Sequence, residues 1–138
     1  MADVVPFPVE YWHRHVVLIV DDESAVRSVL CEFLRDCNFH PLAAASAEEA
    51  IRLFHLGIAI DLVFSDVRMP GELDGYGLAQ WMIENRPDIP IILATGEMGK
   101  CNAAAQLCAV ETLAKPYAFM AAAKKIRDTI HRHKRRKA

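Results

Sequence analysis

The chain has 138 residues, of which 53% are hydrophobic and 25% charged, a profile typical of one compact domain. Its apolar runs, such as Val16–Val20, are far shorter than the roughly 20 residues of a membrane-spanning helix. Residues 1–6 lack the basic and apolar segments of a secretory signal. These features argue against a membrane-spanning protein and predict a cytoplasmic one.

The formal net charge of −2 is unevenly distributed, because residues 131–137 contain five Lys or Arg residues and two His residues. Such a cluster can bind nucleic acid or an acidic partner. It can equally be the solvated end of a helix, where cations complement the helix dipole. Because the cluster has no interleaved aromatic residues and no second basic segment accompanies it, the helix end is favoured and nucleic acid is not an expected partner.

Short apolar, β-rich runs alternate with helical patterns along the chain, which predicts a parallel sheet. We expect an irregular arm over residues 1–14, one domain over 15–132 and a basic tail over 133–138. The first strand is continuously apolar, as expected of a strand buried on both faces. The predicted strands are Val16–Val20, Pro41–Ala45, Ile60–Phe64, Ile89–Ala94 and Val110–Ala114.

The first two helices are predicted from periodicity and capping signals. Ser46, with Glu49 three residues later, has the spacing of a capping box that begins a helix, and Gly57 is predicted to end it. In the helix before it, apolar residues recur at the spacing of a single helix face. That predicted buried face consists of Val26, Val29, Leu30, Phe33, Leu34 and Cys37.

Three further helical patterns complete the chain. One ends before Pro87, an Ala-rich one covers about 99–108, and the last carries an apolar stripe from Phe119 to Ile130. Five strand–helix units predict a doubly wound, flavodoxin-like α/β domain. In this fold five helices cover both faces of a five-stranded parallel sheet with strand order 2-1-3-4-5.

Polar side chains follow four of the predicted strands near the point where each strand ends. Asp21 and Asp22 follow the first strand, Asp66 the third, Thr95 the fourth and Lys115 the fifth. Ligands of such sheets bind at the carboxyl ends of the strands, so we expect these residues to share one pocket. Three carboxylates held close together raise one another's pKa unless a cation neutralises them. Mg²⁺ suits this role because it prefers oxygen ligands and can bridge carboxylates to a phosphoryl group.

Phosphoryl transfer is the chemistry that this set of residues suits. An Asp carboxylate is a competent nucleophile and forms an acyl phosphate. Mg²⁺ and Lys115 would neutralise charge on the transferring group, and the Thr95 hydroxyl would donate to a phosphate oxygen.

The sequence resembles bacterial response-regulator receiver domains. The resemblance extends from about Val16 to Ile130, and its motifs are highly specific as an ordered set. It implies a signalling switch that catalyses only its own phosphorylation and dephosphorylation, not an enzyme acting on other substrates. The matching strings are Val20–Glu23, Ser65–Pro70, Asp74-Gly75, Ala94–Gly96 and Lys115–Tyr117.

The resemblance also implies the phosphorylation and metal residues. Asp66 would be the phospho-acceptor. Asp22 would bind Mg²⁺ directly, and Asp21 would help to hold it, partly through water. Asp66 and the main-chain carbonyl of Arg68 would complete the protein ligands.

The remaining roles concern the switch and its partners. The resemblance implies that Thr95 is the switch hydroxyl and that Lys115 pairs with the phosphate, with a cis peptide bond to Pro116. The phosphoryl donor would be the phosphohistidine of a histidine kinase or phosphotransfer protein. The output surface would be the fourth predicted helix, the fifth strand and the fifth helix, where a downstream protein or a second copy of the chain would bind.

Two positions depart from the family pattern. The loop after Pro70 is one residue longer than the commonest form. Thr112 stands where most receivers have an aromatic residue that turns inward on activation. We therefore expect the signal to pass through Thr95 and the loop Gly96–Lys100.

Arg68 and Glu97 are predicted to set the lifetime of the phosphorylated state. Arg68 lies two residues beyond Asp66, and Glu97 lies two residues beyond Thr95, so both side chains are expected to overhang the site. A planar, bidentate pair between them would form a partial lid that slows attack by water.

Several functions stay open on the sequence alone. The chain fits a stand-alone switch or phosphorelay intermediate, or a receiver excised from a hybrid histidine kinase or larger regulator. A nucleic-acid-binding protein acting through the basic tail is an alternative, which salt-dependent DNA binding would reveal. A phosphatase with an aspartyl nucleophile is disfavoured, because such enzymes need a D-x-D motif and Asp66 is followed by Val67 and Arg68.

Overall fold

The computed structural model of the chain describes residues 14–96 and 110–137, which form five strands and four helices. The strands are β1 (Val16–Val20), β2 (His40–Ala44), β3 (Leu62–Asp66), β4 (Ile91–Thr95) and β5 (Glu111–Ala114), and the helices are α1 (Ser24–Asp36), α2 (Ala47–His55), α3 (Gly75–Asn85) and α4 (Phe119–Lys137). The predicted helix over 99–108 and most of the predicted N-terminal arm lie outside the described residues.

The five strands form one parallel sheet with the order β2-β1-β3-β4-β5. The predicted fold class and strand order are therefore confirmed. In register, Val20 pairs with Ser65, and Asp66 pairs with Ala94. This alignment brings the carboxyl ends of β1, β3 and β4 to the same edge of the sheet.

The sheet is buried on both faces. Along β1, successive side chains alternate between the two core clusters that cover these faces. Leu18 and Val20 belong to the core cluster that includes residues of α2 and α3, whereas Val17 and Ile19 belong to the cluster that includes residues of α1 and α4. Leu18 and Ile19 are almost fully buried, and each such side chain contributes about 1.5–3 kcal/mol of transfer free energy.

Two helix boundaries follow the capping signals in the sequence. The Ser46 Oγ accepts a hydrogen bond from the Glu49 N–H at 3.1 Å, and α2 begins at the next residue, Ala47. The same helix ends at His55, and Gly57 follows in the left-handed region with φ of +78°. Glycine adopts this region without steric cost, so both the predicted start and the predicted stop of α2 are confirmed.

The predicted buried face of α1 was wrong at Val29. The side chain of Val29 is 51% exposed, whereas Leu30, Cys31 and Leu34 are buried. The buried stripe is centred on Leu30 and Leu34, and a neighbouring residue in a helix is rotated by about 100° from it. Val29 therefore lies at the rim of the stripe and faces solvent.

Helix α4 continues beyond the predicted apolar stripe as far as Lys137, so the basic residues from 133 to 137 are helical. Two side chains attach this extension to the domain. Arg132 pairs with Glu111 at 2.9 Å, and the His133 Nε2 lies 2.5 Å from the Asp88 carbonyl oxygen. Within the described ranges, no helix is both long and apolar enough to cross a membrane.

Candidate active site

Three carboxylates meet at the carboxyl edge of the sheet, and we call Asp21, Asp22 and Asp66 the acidic site. Each offers a carboxylate oxygen within 4.8 Å of the others. Asp66 is the last residue of β3, and Asp21 directly follows β1. Asp21 and Asp66 are both 8% exposed, whereas Asp22 is open to solvent. The set thus has two buried members and one accessible member.

Three hydrogen bonds, from β2, α1 and the turn between β1 and α1, hold Asp21 in place. The Asp21 N–H donates to the Ala44 carbonyl at 3.1 Å, and its Oδ1 accepts from the Glu23 N–H at 2.9 Å. The Arg27 Nη1 donates to the Asp21 carbonyl oxygen at 2.5 Å. Main chain and side chain are therefore both fixed, which orients the carboxylate towards Asp66.

Burial raises the pKa of the Asp21 carboxyl above its ordinary value, and the charges of Asp66 and Asp22 raise it further. The Glu23 N–H and the Lys115 ammonium oppose this rise by stabilising the carboxylate. The net direction is upward, and burial is its largest cause.

Lys115 supplies the positive charge next to Asp66. Its Nζ donates to the Asp66 Oδ1 at 2.7 Å, and its side chain remains 36% exposed. The Lys115 N–H donates to the Thr95 carbonyl at 2.9 Å, and the peptide bond to Pro116 is cis, the isomer that the resemblance implies. The lysine therefore projects from the end of β5 onto the carboxylate predicted to be the acceptor.

Of the remaining predicted residues, the structure describes Thr95, Arg68 and Thr112 but not Glu97. Thr95 is buried at the end of β4, and Arg68 is exposed two residues after Asp66. Thr112 is half-buried on β5 and pairs with Leu93 in register. Glu97 lies outside the described part of the chain, as does the predicted signalling loop beyond Gly96.

The first residue of α3, Gly75, approaches the backbone of Asp66 very closely. A Cβ atom at this position would lie 2.4 Å from the Asp66 carbonyl oxygen and 2.7 Å from the Val67 Cα. The Gly75 N–H donates to the Val67 carbonyl at 2.8 Å, and the Asp74 side chain caps the helix by accepting from the Gly77 N–H at 2.9 Å. Only glycine fits here. Its close contact and hydrogen bond let the start of α3 support the main chain that carries Asp66.

A groove of about 640 Å³ opens beside the acidic site, between α1 and the segment that enters α4. Tyr117 lines it and packs edge-on against Phe64 at a centroid distance of 5.6 Å. Burial and the nearby charges of Asp21 and Asp66 raise the pKa of Tyr117 to about 12. Its hydroxyl therefore stays protonated and able to donate at neutral pH.

Sequence reasoning gave no role to Arg27, Tyr117 or Glu48, which the structure places in or near the site. Tyr117 belongs to the Lys115–Tyr117 string at the end of β5, so its position could have been found from that string. Arg27 and Glu48 carry no motif signal, because their contacts depend on how distant segments fold together.

The family model of the response regulator receiver domain matches residues 17–127. The chain belongs to this family. It is a receiver domain of the kind that two-component systems use, and the described structure has the parallel sheet and strand order expected for it.

Relatives and solved structures agree with this assignment. The receiver is 36% identical over 121 residues to the probable transcriptional regulator ycf27 of Guillardia theta, covering 86% of this chain and 46% of that protein. It is 29% identical to the response regulator TrrA of Thermotoga maritima, solved with Mg²⁺-BeF, with a TM-score of 0.72 and coverage of 83% and 97%. It is 32% identical to the receiver of the hybrid histidine kinase CckA, with a TM-score of 0.68 and coverage of 83% and 98%.

The chain spans about half the length of the first curated relatives that it matches. The acidic site offers a donor set for a hard cation: carboxylate oxygens from the ends of two strands, β1 and β3, with Asp22 open to solvent. Such a set fits Mg²⁺, which binds one or two carboxylates and keeps several waters.

Proposed function

We propose that this receiver domain accepts a phosphoryl group on Asp66 in a Mg²⁺-dependent reaction and so acts as a switch, without turning over other substrates. The observation that carries the proposal is the acidic site, whose carboxylate oxygens lie within 4.8 Å of one another while the Lys115 Nζ is 2.7 Å from Asp66. The similar TrrA structure contains Mg²⁺-BeF. Asp21, Asp22, Asp66 and the Arg68 carbonyl would hold the ion.

The covalent step joins an oxygen of Asp66 to the phosphorus atom of the donor. As this P–O bond forms, the bond from phosphorus to the leaving group breaks, and the leaving group keeps that electron pair. With a phosphohistidine donor, the released imidazole nitrogen then takes up a proton from solvent. Bound Mg²⁺ would supply electrostatic stabilisation of the phosphoryl oxygens.

Lys115 acts both before and after the transfer, and Thr95 acts after it. The Lys115 ammonium holds the Asp66 carboxylate before transfer and pairs with a phosphoryl oxygen afterwards. Thr95, at the end of the neighbouring strand β4, donates its hydroxyl to the phosphoryl group once it is attached. Thr95 thereby links phosphorylation to the loop that follows β4.

The proposed donor is the phosphohistidine of a histidine kinase or phosphotransfer protein. The apolar groove beside the acidic site, with Val29 exposed on its α1 side, is open to such a partner. The proposed output face consists of the helix predicted over about 99–108, β5 and α4, where a downstream protein or a second receiver would bind. The CckA receiver belongs to a hybrid histidine kinase. The receiver described here could act in the same way as one domain of a larger protein.

The direct test is phosphorylation by acetyl phosphate with Mg²⁺, followed by intact-mass analysis. The wild type should gain one phosphoryl group, and Asp66→Asn should gain none, because the substitution removes the nucleophile and keeps the size of the side chain. Asp36→Asn, at the exposed end of α1, is the matched control and should react like the wild type. A full mass gain in folded Asp66→Asn would overturn the proposal.

A further inference from the structure

The loop between β3 and α3 carries Arg68 and contacts the start of α2. Its ends are fixed, because Asp66 closes β3 and Gly75 opens α3 with a hydrogen bond to Val67. Its middle consists of Gly71, Glu72 and Leu73. Arg68 lies between the fixed residue Val67 and this middle part, so contacts to the middle part bear on the position of the Arg68 carbonyl.

Glu48 in the first turn of α2 reaches that middle part. Its Oε2 accepts a hydrogen bond from the Leu73 N–H at 3.1 Å, across 25 positions of sequence. A Cβ atom on Gly71 would lie 3.4 Å and 3.5 Å from the two carboxylate oxygens of Glu48, and Gly71 itself has φ of +110°. The carboxylate therefore lies against the loop backbone at Gly71 and Leu73.

Leu73 secures the same part of the loop from its other side. Its side chain packs against the buried core cluster and lies close to Gly77 of α3. The Leu73 backbone is thus held between an apolar contact on the side chain and a charged acceptor on the N–H. Hydrogen bonds to a charged group are stronger than those between neutral groups, so this contact favours one loop conformation.

We propose that Glu48 is a positioning residue for the metal site: its carboxylate holds the β3–α3 loop so that the Arg68 carbonyl faces the acidic site. This inference rests on the proposed function. In metal sites, groups that orient the ligands commonly change metal affinity by about 10- to 100-fold when they are removed. Glu48 acts through the conformation of the loop and contacts no reacting atom.

The experiment compares Glu48→Ala, Glu48→Gln and Glu49→Ala. Glu49 lies in the same helical turn and carries the same charge, so its replacement removes an equal interaction with the helix dipole and leaves the Leu73 contact in place. Gln keeps an oxygen that can accept the Leu73 N–H, so it should rescue the function that Ala loses. Mg²⁺ affinity is measured by titration, acetyl phosphate reactivity at several Mg²⁺ concentrations, and folding by thermal unfolding.

We expect Glu48→Ala to raise the Kd for Mg²⁺ by roughly tenfold, with a phosphorylation rate close to wild type once Mg²⁺ saturates. Glu48→Gln and Glu49→Ala should stay within about twofold of the wild type in Kd. If Glu48→Ala does not fold, Glu48→Asp carries the test, because the shorter side chain withdraws the carboxylate and should raise the Kd several-fold.

An unchanged Kd in folded Glu48→Ala, or in Glu48→Asp where that variant carries the test, would overturn the inference. An equal rise in Glu49→Ala would overturn it too, since that result points to helix charge, and so would a rise in Glu48→Gln as large as in Glu48→Ala. A lower unfolding temperature with an unchanged Kd would show a structural role only. The proposed function fails separately, if the wild type takes no phosphoryl group on Asp66.

Discussion

Asp21, Asp22 and Asp66 place like charges close together, and this crowding sets the energetics of the site at the residue scale. Two unit charges 4 Å apart interact by about 1 kcal/mol in water and by several times more at a partly buried position. Lys115 pairs with Asp66 at 2.7 Å, yet the pKa of Asp21 remains raised, first by burial and then by its acidic neighbours. A divalent cation bound at this position would add positive charge and favour the ionised form of Asp21.

Arg68 is the residue for which we expect an effect on the lifetime of the phosphorylated state. Its side chain is exposed two residues beyond Asp66, where it can shield an attached phosphoryl group from water. Arg68→Ala should shorten the lifetime of phosphorylated Asp66 by several-fold, since a tenfold change needs only about 1.4 kcal/mol at the transition state. Glu97→Ala should shorten it less, if Glu97 holds the arginine in place.

The measurement is the decay of the phosphorylated mass after acetyl phosphate is removed, at saturating Mg²⁺. Arg52→Ala, an exposed arginine substitution on α2, serves as the control and should leave the decay unchanged. Equal decay in Arg68→Ala, Glu97→Ala and wild type would show that no lid exists.

Sequence reasoning brought the principal residues of the site together correctly, because each directly follows or ends a strand. Asp21, Asp66 and Lys115 needed no knowledge of tertiary contacts beyond the parallel sheet. The supporting residues were different. Glu48 touches a loop 25 residues away, and Arg27 contacts a main-chain oxygen, so neither shows a pattern until the chain is folded.

At the scale of elements, the sequence predicted which strands form, but it predicted the residues at their ends less well. The third strand was predicted over Ile60–Phe64 and forms over Leu62–Asp66. Apolar character suggested an end at Phe64, but backbone pairing of Ser65 and Asp66 with β4 continues the strand. Helix α4 likewise extends past Ile130, and its Arg132 bonds to Glu111 on β5. Polarity alone cannot reveal such pairings.

Glu111 links β5 to α4 and should stabilise that junction. It pairs with Lys125 at 2.8 Å and with Arg132 at 2.9 Å, and the Lys125 hydrogen bond is the main reason that its pKa is lowered from 4.5. A lowered folded-state pKa means that the stabilisation is present above the unfolded value and is lost as pH falls through the folded value. Because all three side chains are partly exposed, we expect about 1 kcal/mol at most.

Glu111→Gln should therefore unfold at lower urea concentration than the wild type at neutral pH. The difference should shrink in high salt and disappear in acid, where the wild-type carboxylate is protonated. Glu32→Gln, an exposed substitution on α1, is the control and should leave stability unchanged at both pH values. A difference that persists undiminished in acid would contradict the ion-pair explanation.

Across the whole molecule, charge is divided between two regions. Eight of the 16 Lys and Arg residues lie in α4, together with one of the 18 Asp and Glu residues, so α4 carries a formal charge of +7 and the rest of the chain −9. The extension of α4 contacts Asp88, ahead of β4, through His133, whereas the acidic site lies at the opposite edge of the sheet. The proposed cation site thus lies outside α4, in the part of the chain that carries the net negative charge.

This arrangement predicts that Mg²⁺ stabilises the fold. It also predicts that the charge of Asp22 lowers the stability of the ion-free protein. An ion that binds only the folded state contributes about 2.7 kcal/mol at a concentration near 100 times its Kd, so Mg²⁺ should raise the unfolding temperature of the wild type. Asp22→Asn removes one of three crowded charges. Without Mg²⁺ it should be more stable than the wild type by about 1 kcal/mol, the size of a screened repulsion at this distance.

With Mg²⁺ present the order should reverse, because Asp22→Asn lacks a proposed ligand and gains little from the ion. Thermal unfolding of both proteins across a Mg²⁺ titration measures the two effects together, and Asp36→Asn should follow the wild type throughout. If Asp22→Asn were less stable than the wild type without Mg²⁺, repulsion among the three carboxylates would not be what limits the stability of the ion-free protein. If it gained as much as the wild type from Mg²⁺, the ion would not be held by the acidic site, since the loss of a direct ligand must weaken binding to the folded state.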